Sequence, residues 1–249
     1  MKLFLSDTEY IDTKQPLDLS IPLKSGSENL RAWYVDAPRF ETVRANGFLG
    51  AVNEGGSVNF RNVFFNPHGN GTHTECVGHI SKEGYTINQS LKKFFFLAEL
   101  ITILPEETID GDRIITKQHI VNCLGDKCPE AIIIRTLDNG VSKINKHYSN
   151  TNPPFLHHEA AQLISDLGID HLLIDLPSVD KEVDSGKLLA HHAFWQYPGN
   201  TKLQRTITEL IYVPNNVYDG TYLLNIQIAS FENDASPSKP LLYQLNSVI

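Results

Sequence analysis

The chain has 249 residues, 41% of them hydrophobic and 20% charged. That is an ordinary globular balance, long enough to bury a core without disulfides or metal staples, and it excludes a largely disordered chain. A formal net charge of −8 with no lysine or arginine run argues against nucleic acid, and no apolar stretch approaches the length that crosses a bilayer. The N-terminal MKLFLSDTEYIDTKQ turns polar too soon for a signal peptide, so a cytoplasmic protein is expected. The three cysteines Cys76, Cys123 and Cys128 form no disulfide framework. Cys123 and Cys128 flank LGDK and are expected as buried or half-buried thiols at a helix end.

In chain order, SVNFRNVFF (57–65) alternates at Val58, Phe60 and Phe64, which predicts a half-buried strand leading into Pro67. LAELITIL (97–104) and EAIIIRT (130–136) predict buried strands. Between them ITKQHIVNCLG predicts a helix capped by Thr116 and stopped by Gly125. HHEAAQLISDLG (157–168) is the clearest helix, with Ala160, Leu163, Ile164 and Leu167 on one face and Gly168 at its end. IDHLLIDLP (169–177), RTITELIYV (205–213) and GTYLLNIQIASF (220–231) predict further strands. Strands outnumber helices and no linker splits the chain. One α/β domain over residues 1–249 is expected, with a mixed, partly barrel-like sheet and a few flanking helices.

The densest chemistry is NPHGNGTHTECVGHI (66–80). In an extended THTE segment His73 and Glu75 project to one face, as two legs of a metal site, while Cys76 points to the core. Gly69 and Gly71 allow His68 to fold back, and His79 either completes the shell or stands just outside it. A histidine-rich turn is the competing reading, since no rigid motif such as H-E-x-x-H is present. Further ligands lie downstream. His191 and His192 are adjacent and diverge, so at most one binds. Glu209 sits between apolar neighbours in a strand, where a carboxylate wants a partner such as a cation.

These residues resemble the metal-dependent cyclase family that includes bacterial kynurenine formamidase and isatin hydrolase. GTHTECVGH (71–79) follows the pattern H-x-G-T-H-x-D-x-P-x-H from its glycine onward, IDLPSVD resembles I-D-T-P-S-V-D, and DSGKLLAHH carries the spacing to a metal histidine, His191. DASPSKPLLY (234–243) and PLDLSIPL (16–23) resemble the closing segment and opening strand. The departures are four: Gly69 stands where the first histidine should be, with His68 one residue earlier; Glu75 replaces aspartate; Val77 replaces proline; and Pro198, Gly199 and Asn200 suggest an inserted turn.

The resemblance implies the swivelling β/β/α type of fold and one or two divalent ions, zinc or manganese, on His68, His73, Glu75, His191 and Glu209. It implies hydrolysis of an amide C–N bond in an aryl formamide or cyclic amide, with metal-activated water. His79 is the candidate proton shuttle, and Glu209 bridges or completes the shell. Asp175 and Asp184 are candidates for orienting neighbours, against a turn or cap role. Trp33 and Phe194 are candidate substrate contacts, with Trp195 beside Phe194; a core aromatic is the competing reading for Trp33. The expected partners are a small-molecule substrate and a second copy, as a homodimer or higher homo-oligomer, with no nucleic acid or membrane. A metal- or small-ligand-binding protein that kept this fold without catalysis is the alternative.

Overall fold

The computed structural model describes residues 1–248. Seven strands form its centre: β1 (His73–Cys76), β2 (Phe95–Ile103), β3 (Ala131–Thr136), β4 (His171–Ile174), β5 (Thr206–Glu209), β6 (Gly220–Ile228) and β7 (Ala235–Gln244). The helices flanking them include α1 (Pro67–Asn70), α2 (Lys117–Leu124), α3 (His158–Asp166) and α4 (Leu189–Trp195). The strand order is β6-β2-β3-β4-β5-β1-β7, and β7 pairs back onto β6, closing a mixed barrel. Strands β2 to β5 run parallel, and the other four pairings round the barrel are antiparallel.

The period of two in the strands divides the core. In β3, Ala131 and Ile133 face the barrel interior with Leu100, Leu173 and Leu224. Ile132 and Ile134 face outward onto the helices, against Ile120, Ile164 and Phe194. Both faces are covered, which is why EAIIIRT reads as a continuous apolar run. The same rule positions the functional residues. Cys76 of β1 joins the interior, so His73 and Glu75 lie on the outer face.

Local signals set the helix ends. The Thr116 hydroxyl accepts from the His119 amide at 3.4 Å and His119 Nδ1 accepts from the Thr116 amide at 3.0 Å, a reciprocal cap for α2. Gly125 at φ 56° and Gly168 at φ 77° follow α2 and α3 in the left-handed region that a residue with a Cβ resists.

Three expectations are corrected. The 57–65 strand shrinks to Arg61–Phe64, exposed along its length, and among the described residues pairs only with Arg39–Thr42. Its alternation is real, but no layer covers it, and Phe60 is 57% exposed. The opening strand shrinks to Leu17–Asp18, an addition to β7. Cys123 is exposed because α2 turns its Ile120 and Leu124 face to the core and leaves the opposite face to solvent, and Cys128 is exposed in the stretch that follows the helix.

Ile133→Ala is expected to cost about 2–5 kcal/mol, the range for truncating a buried aliphatic side chain, whereas Phe60→Ala should change stability by less than about 0.5 kcal/mol, as at other surface sites. Urea denaturation of the two variants separates the covered strand from the uncovered hairpin.

Candidate metal centre

The centre is assembled from four parts of the chain. Strands β1 and β5 pair with Glu209 opposite His73 and Ile207 opposite Glu75. Directly opposed residues share a face, and Glu209 Oε2 lies 3.4 Å from His73 Nε2. The other Glu209 oxygen accepts from the Val179 amide at 2.9 Å.

His68 comes from α1, whose first turn is fixed by Pro67 and by Asn66 Oδ1 accepting from the Gly69 amide at 3.1 Å. Its Nδ1 lies 3.0 Å from Glu75 Oε2. The extra residue between His68 and Gly71 is thus taken up by a helical turn. Gly69 explains why the histidine stands one place earlier. A Cβ there would come within 2.7 Å of Val35 and 2.9 Å of the Ala32 carbonyl, so no side chain fits.

His191 comes from α4. The Asp180 carboxylate accepts from the Ala190 and His191 amides at 2.8 and 3.1 Å, occupying the open N-terminus of that helix. The same carboxylate accepts from His191 Nδ1 at 2.6 Å, leaving Nε2 at 3.1 Å from Glu75 Oε1. His192, one residue and about 100° further round the helix, instead donates from Nδ1 to the Tyr197 carbonyl at 2.6 Å.

His79 follows β1, with Nδ1 4.0 Å from Glu75 Oε2 and 3.1 Å from Asp234 Oδ2. Asp234 also accepts from His68 Nε2 at 2.9 Å. Sequence reasoning missed this residue, although it opens the Ser-Pro segment DASPSKPLLY. Of the two aspartates offered as orienting or turn residues, neither holds a site histidine, and Asp184 follows the turn reading. Asp175 is buried against Thr136 and Lys143, away from the histidines. Asp184 accepts from the Gly186 and Leu188 amides, as a turn residue does. Asp180, the last residue of IDLPSVD, holds His191.

Above the cluster lies a cavity of about 330 Å³, lined by Trp33, His68, His79, His191 and Glu209 among others. Phe194 does not reach it. The ring is fully buried between sheet and helices, with the Arg205 guanidinium 5.6 Å from its centroid. Phe194 and Trp195, three and four residues along α4 from His191, share its buried face and pack into the core.

Two ligand groups result, His68–Glu75–His79 and His73–Glu75–Glu209, with Glu75 common to both. The donor set fits a divalent cation. His73 Nε2 and Glu75 Oε2 are buried and make no well-directed hydrogen bond, although each has polar neighbours within 4 Å. They converge as ligands do. Three imidazoles have one nitrogen committed: His73 Nδ1 donates to the Gly71 carbonyl at 3.0 Å, His191 Nδ1 to Asp180 and His68 Nε2 to Asp234. This leaves the opposite nitrogen free to bind a cation, an arrangement typical of metal-ligating histidine.

Electrostatics agree. Burial by itself would lower the pKa of His68, but hydrogen bonds to Asp234 and Glu75 outweigh it and raise it to about 10. For His191 burial is outweighed by Asp180 and Glu75, again reaching about 10. Burial would raise Glu75, yet His79, His191 and His68 hold it well below the usual carboxylate range. Burial likewise opposes ionisation of Asp234, and its hydrogen bonds from His68 and His79 prevail. The site demands positive charge, and protons supply it when no other cation does.

A closed mixed barrel with this outer-face cluster defines the class. Residues 17–181 match the family model described as "Putative cyclase", and the chain belongs to that family. It is 27% identical over 241 residues to a kynurenine formamidase of Bacillus cereus, covering 96% of this chain and 99% of the relative. A kynurenine formamidase of Bacillus thuringiensis is 26% identical over 240 residues, with the same coverage. Among solved structures, a potential metal-dependent hydrolase with cyclase activity superposes with a TM-score of 0.67 at 16% identity, covering 92% of this chain and 97% of that one. Isatin hydrolase A of Labrenzia aggregata superposes at 0.67 with 13% identity, covering 92% and 93%.

Metal uptake is expected to release protons, since His68 and His191 are protonated below about pH 10 without a cation and must lose those protons to bind one. Affinity should rise with pH across the neutral range. Calorimetric titration of the metal-stripped protein with Zn or Mn, in buffers of different ionisation enthalpy, measures the release. Asp180→Asn and Asp234→Asn should each weaken metal binding by about 10–100-fold, the usual cost of losing a group that orients a ligand.

Proposed function

We propose that this chain is a metal-dependent hydrolase of an amide C–N bond, acting on an aryl formamide or a cyclic amide. The observation that carries the reading is the buried, converging pair His73 Nε2 and Glu75 Oε2 beneath an open cavity. Similarity along nearly the whole chain to kynurenine formamidases supports the substrate class. His68, His73, Glu75, His191 and Glu209 would hold one or two ions, zinc or manganese; imidazole suits the first and carboxylate both. A divalent ion supplies Lewis acidity, which activates water at neutral pH and polarises a carbonyl.

The chain's own residues do the rest. Glu209 on β5 and Glu75 on β1 would offset the charge of a bound cation. His79, held at Nδ1 by Asp234, keeps Nε2 free to accept a proton from attacking water and deliver it to the leaving nitrogen. As the carbonyl carbon gains the water oxygen, the C–N bond breaks and the amine leaves protonated. Trp33, on the cavity rim, offers a face for the substrate's ring.

The working form is a homodimer or larger assembly in the cytoplasm. The exposed apolar side chains of the hairpin region, Phe48, Phe60, Val63 and Phe64, support self-association. The odd, low cysteine count, with Cys76, Cys123 and Cys128 all free, supports the compartment.

The test is metal analysis of the purified protein followed by a panel of aryl formamides, lactams and cyclic imides. Turnover should track bound metal and be lost on chelation. His73→Ala should lose metal and turnover together, whereas His79→Gln should keep the metal and lose about 10²–10⁴-fold in kcat, the usual worth of a positioned acid–base. Full activity without bound metal would sink the proposal. Full occupancy with no turnover on any substrate would favour a metal-binding protein without catalysis, a reading that the replacement of the family aspartate by Glu75 motivates.

A further inference from the structure

A second cavity, of about 620 Å³, opens at the other end of the barrel and shares no residue with the metal centre. Its volume lies inside the range of about 300–1,000 Å³ typical of small-molecule sites. Tyr85, Leu91, Phe96 and Leu203 supply apolar wall, and His171 and Lys93 supply the polar groups that matter. His171 is only 5% exposed. Its ring lies against that of Phe96, with centroids 3.8 Å apart. Its Nδ1 is 2.8 Å from the Thr206 hydroxyl, and its Nε2 has no hydrogen-bond partner among the described residues. Burial pushes this imidazole down to about 4, against a small opposing effect of Asp170, so the ring is neutral at physiological pH. The Thr206 hydroxyl has no other hydrogen-bond partner among the described residues, so its proton is satisfied when it donates to Nδ1, and in that tautomer the free nitrogen carries the ring proton and donates.

The charged groups on the wall divide unevenly. Asp170 Oδ1 is paired with Arg205 Nε at 3.0 Å, and Glu130 Oε2 accepts from the Leu97 amide at 2.8 Å. Lys92 Nζ donates to the Asn88 carbonyl at 2.6 Å. Lys93 makes no ion pair among the described residues and is exposed at the rim. A free ammonium and an unpartnered, nearly buried imidazole N–H therefore face an apolar chamber in a chain whose net charge is −8.

We propose that this cavity binds a small apolar anion, a flat ring or short acyl chain bearing one carboxylate or sulfonate, with its body on Phe96 and Leu91 and its acid group between His171 and Lys93. The proposal is independent of the hydrolase reading, because it uses none of the metal residues.

The probe is anilinonaphthalene sulfonate, titrated by fluorescence into the protein as purified and after metal removal. One saturable site per chain is expected, unchanged by chelation. Lys93→Glu should weaken it by about tenfold or more, the scale of one lost charge-assisted hydrogen bond. His171→Phe, which keeps an aromatic ring against Phe96, should weaken it by a similar factor. Lys239→Glu, whose lysine pairs with Asp18 elsewhere, should bind the probe as the unaltered protein does. Circular dichroism checks that each variant is folded. The proposal is overturned if no saturable binding is found, if Lys93→Glu and His171→Phe bind like the unaltered protein, or if sedimentation shows Lys93→Glu dissociating an oligomer whose contact had filled the cavity.

Discussion

The Glu75 carboxylate is fully buried, and the groups within ion-pair reach of it are the imidazoles of His68, His73, His79 and His191 rather than a lysine or arginine. A buried carboxylate costs several kcal/mol unless its charge is met. Imidazoles can meet it in two ways, by holding protons or by sharing a cation as co-ligands. The rest of the centre follows from that constraint. The rings stand round one carboxylate, and each of His68, His73 and His191 is gripped at the nitrogen that does not face it.

The fold satisfies the constraint with few parts. The outer face of β1 presents His73 and Glu75, and the antiparallel register with β5 sets Glu209 beside them. Helix α4 depends on Asp180 twice over, since one carboxylate both satisfies its first amides and holds His191. Asp234, immediately before β7, joins His68 to His79. Strand β5 reaches both ends of the molecule, with Thr206 against His171 in the second cavity and Glu209 against His73 in the centre. Three residues of strand, about 10 Å, separate them.

Much of the scaffold was legible because its signals are local. EAIIIRT, the capped helix after Thr116 and the Gly168 stop each announce themselves within a dozen residues. The pairing of His73 with Glu75 was legible from the period of two. The 57–65 stretch misled for the same reason. Alternation records which residues could share a face but not whether another layer covers it, and among the described residues none does. Phe194 misled because the helix face it shares with His191 is packed into the core, and closeness in sequence does not report which part of that face the cavity reaches. Asp180 and Asp234 were missed because each acts on a histidine 11 or more residues away, and no periodicity reports such a contact.

The passage NPHGNGTHTECVGHI determined by itself that side chains able to bind a cation are concentrated there and that His73 and Glu75 share a face, since residue chemistry and strand parity are both written locally. Only the tertiary structure decided how the cluster closes. The loop carrying His68 has one more residue than the family pattern, and its reach depended on whether that residue coils into a helical turn. It does, because Gly69 packs where any Cβ would strike Val35 and the Ala32 carbonyl. That contact joins segments more than 30 residues apart, and steric exclusion at such a distance in sequence is set by the fold alone.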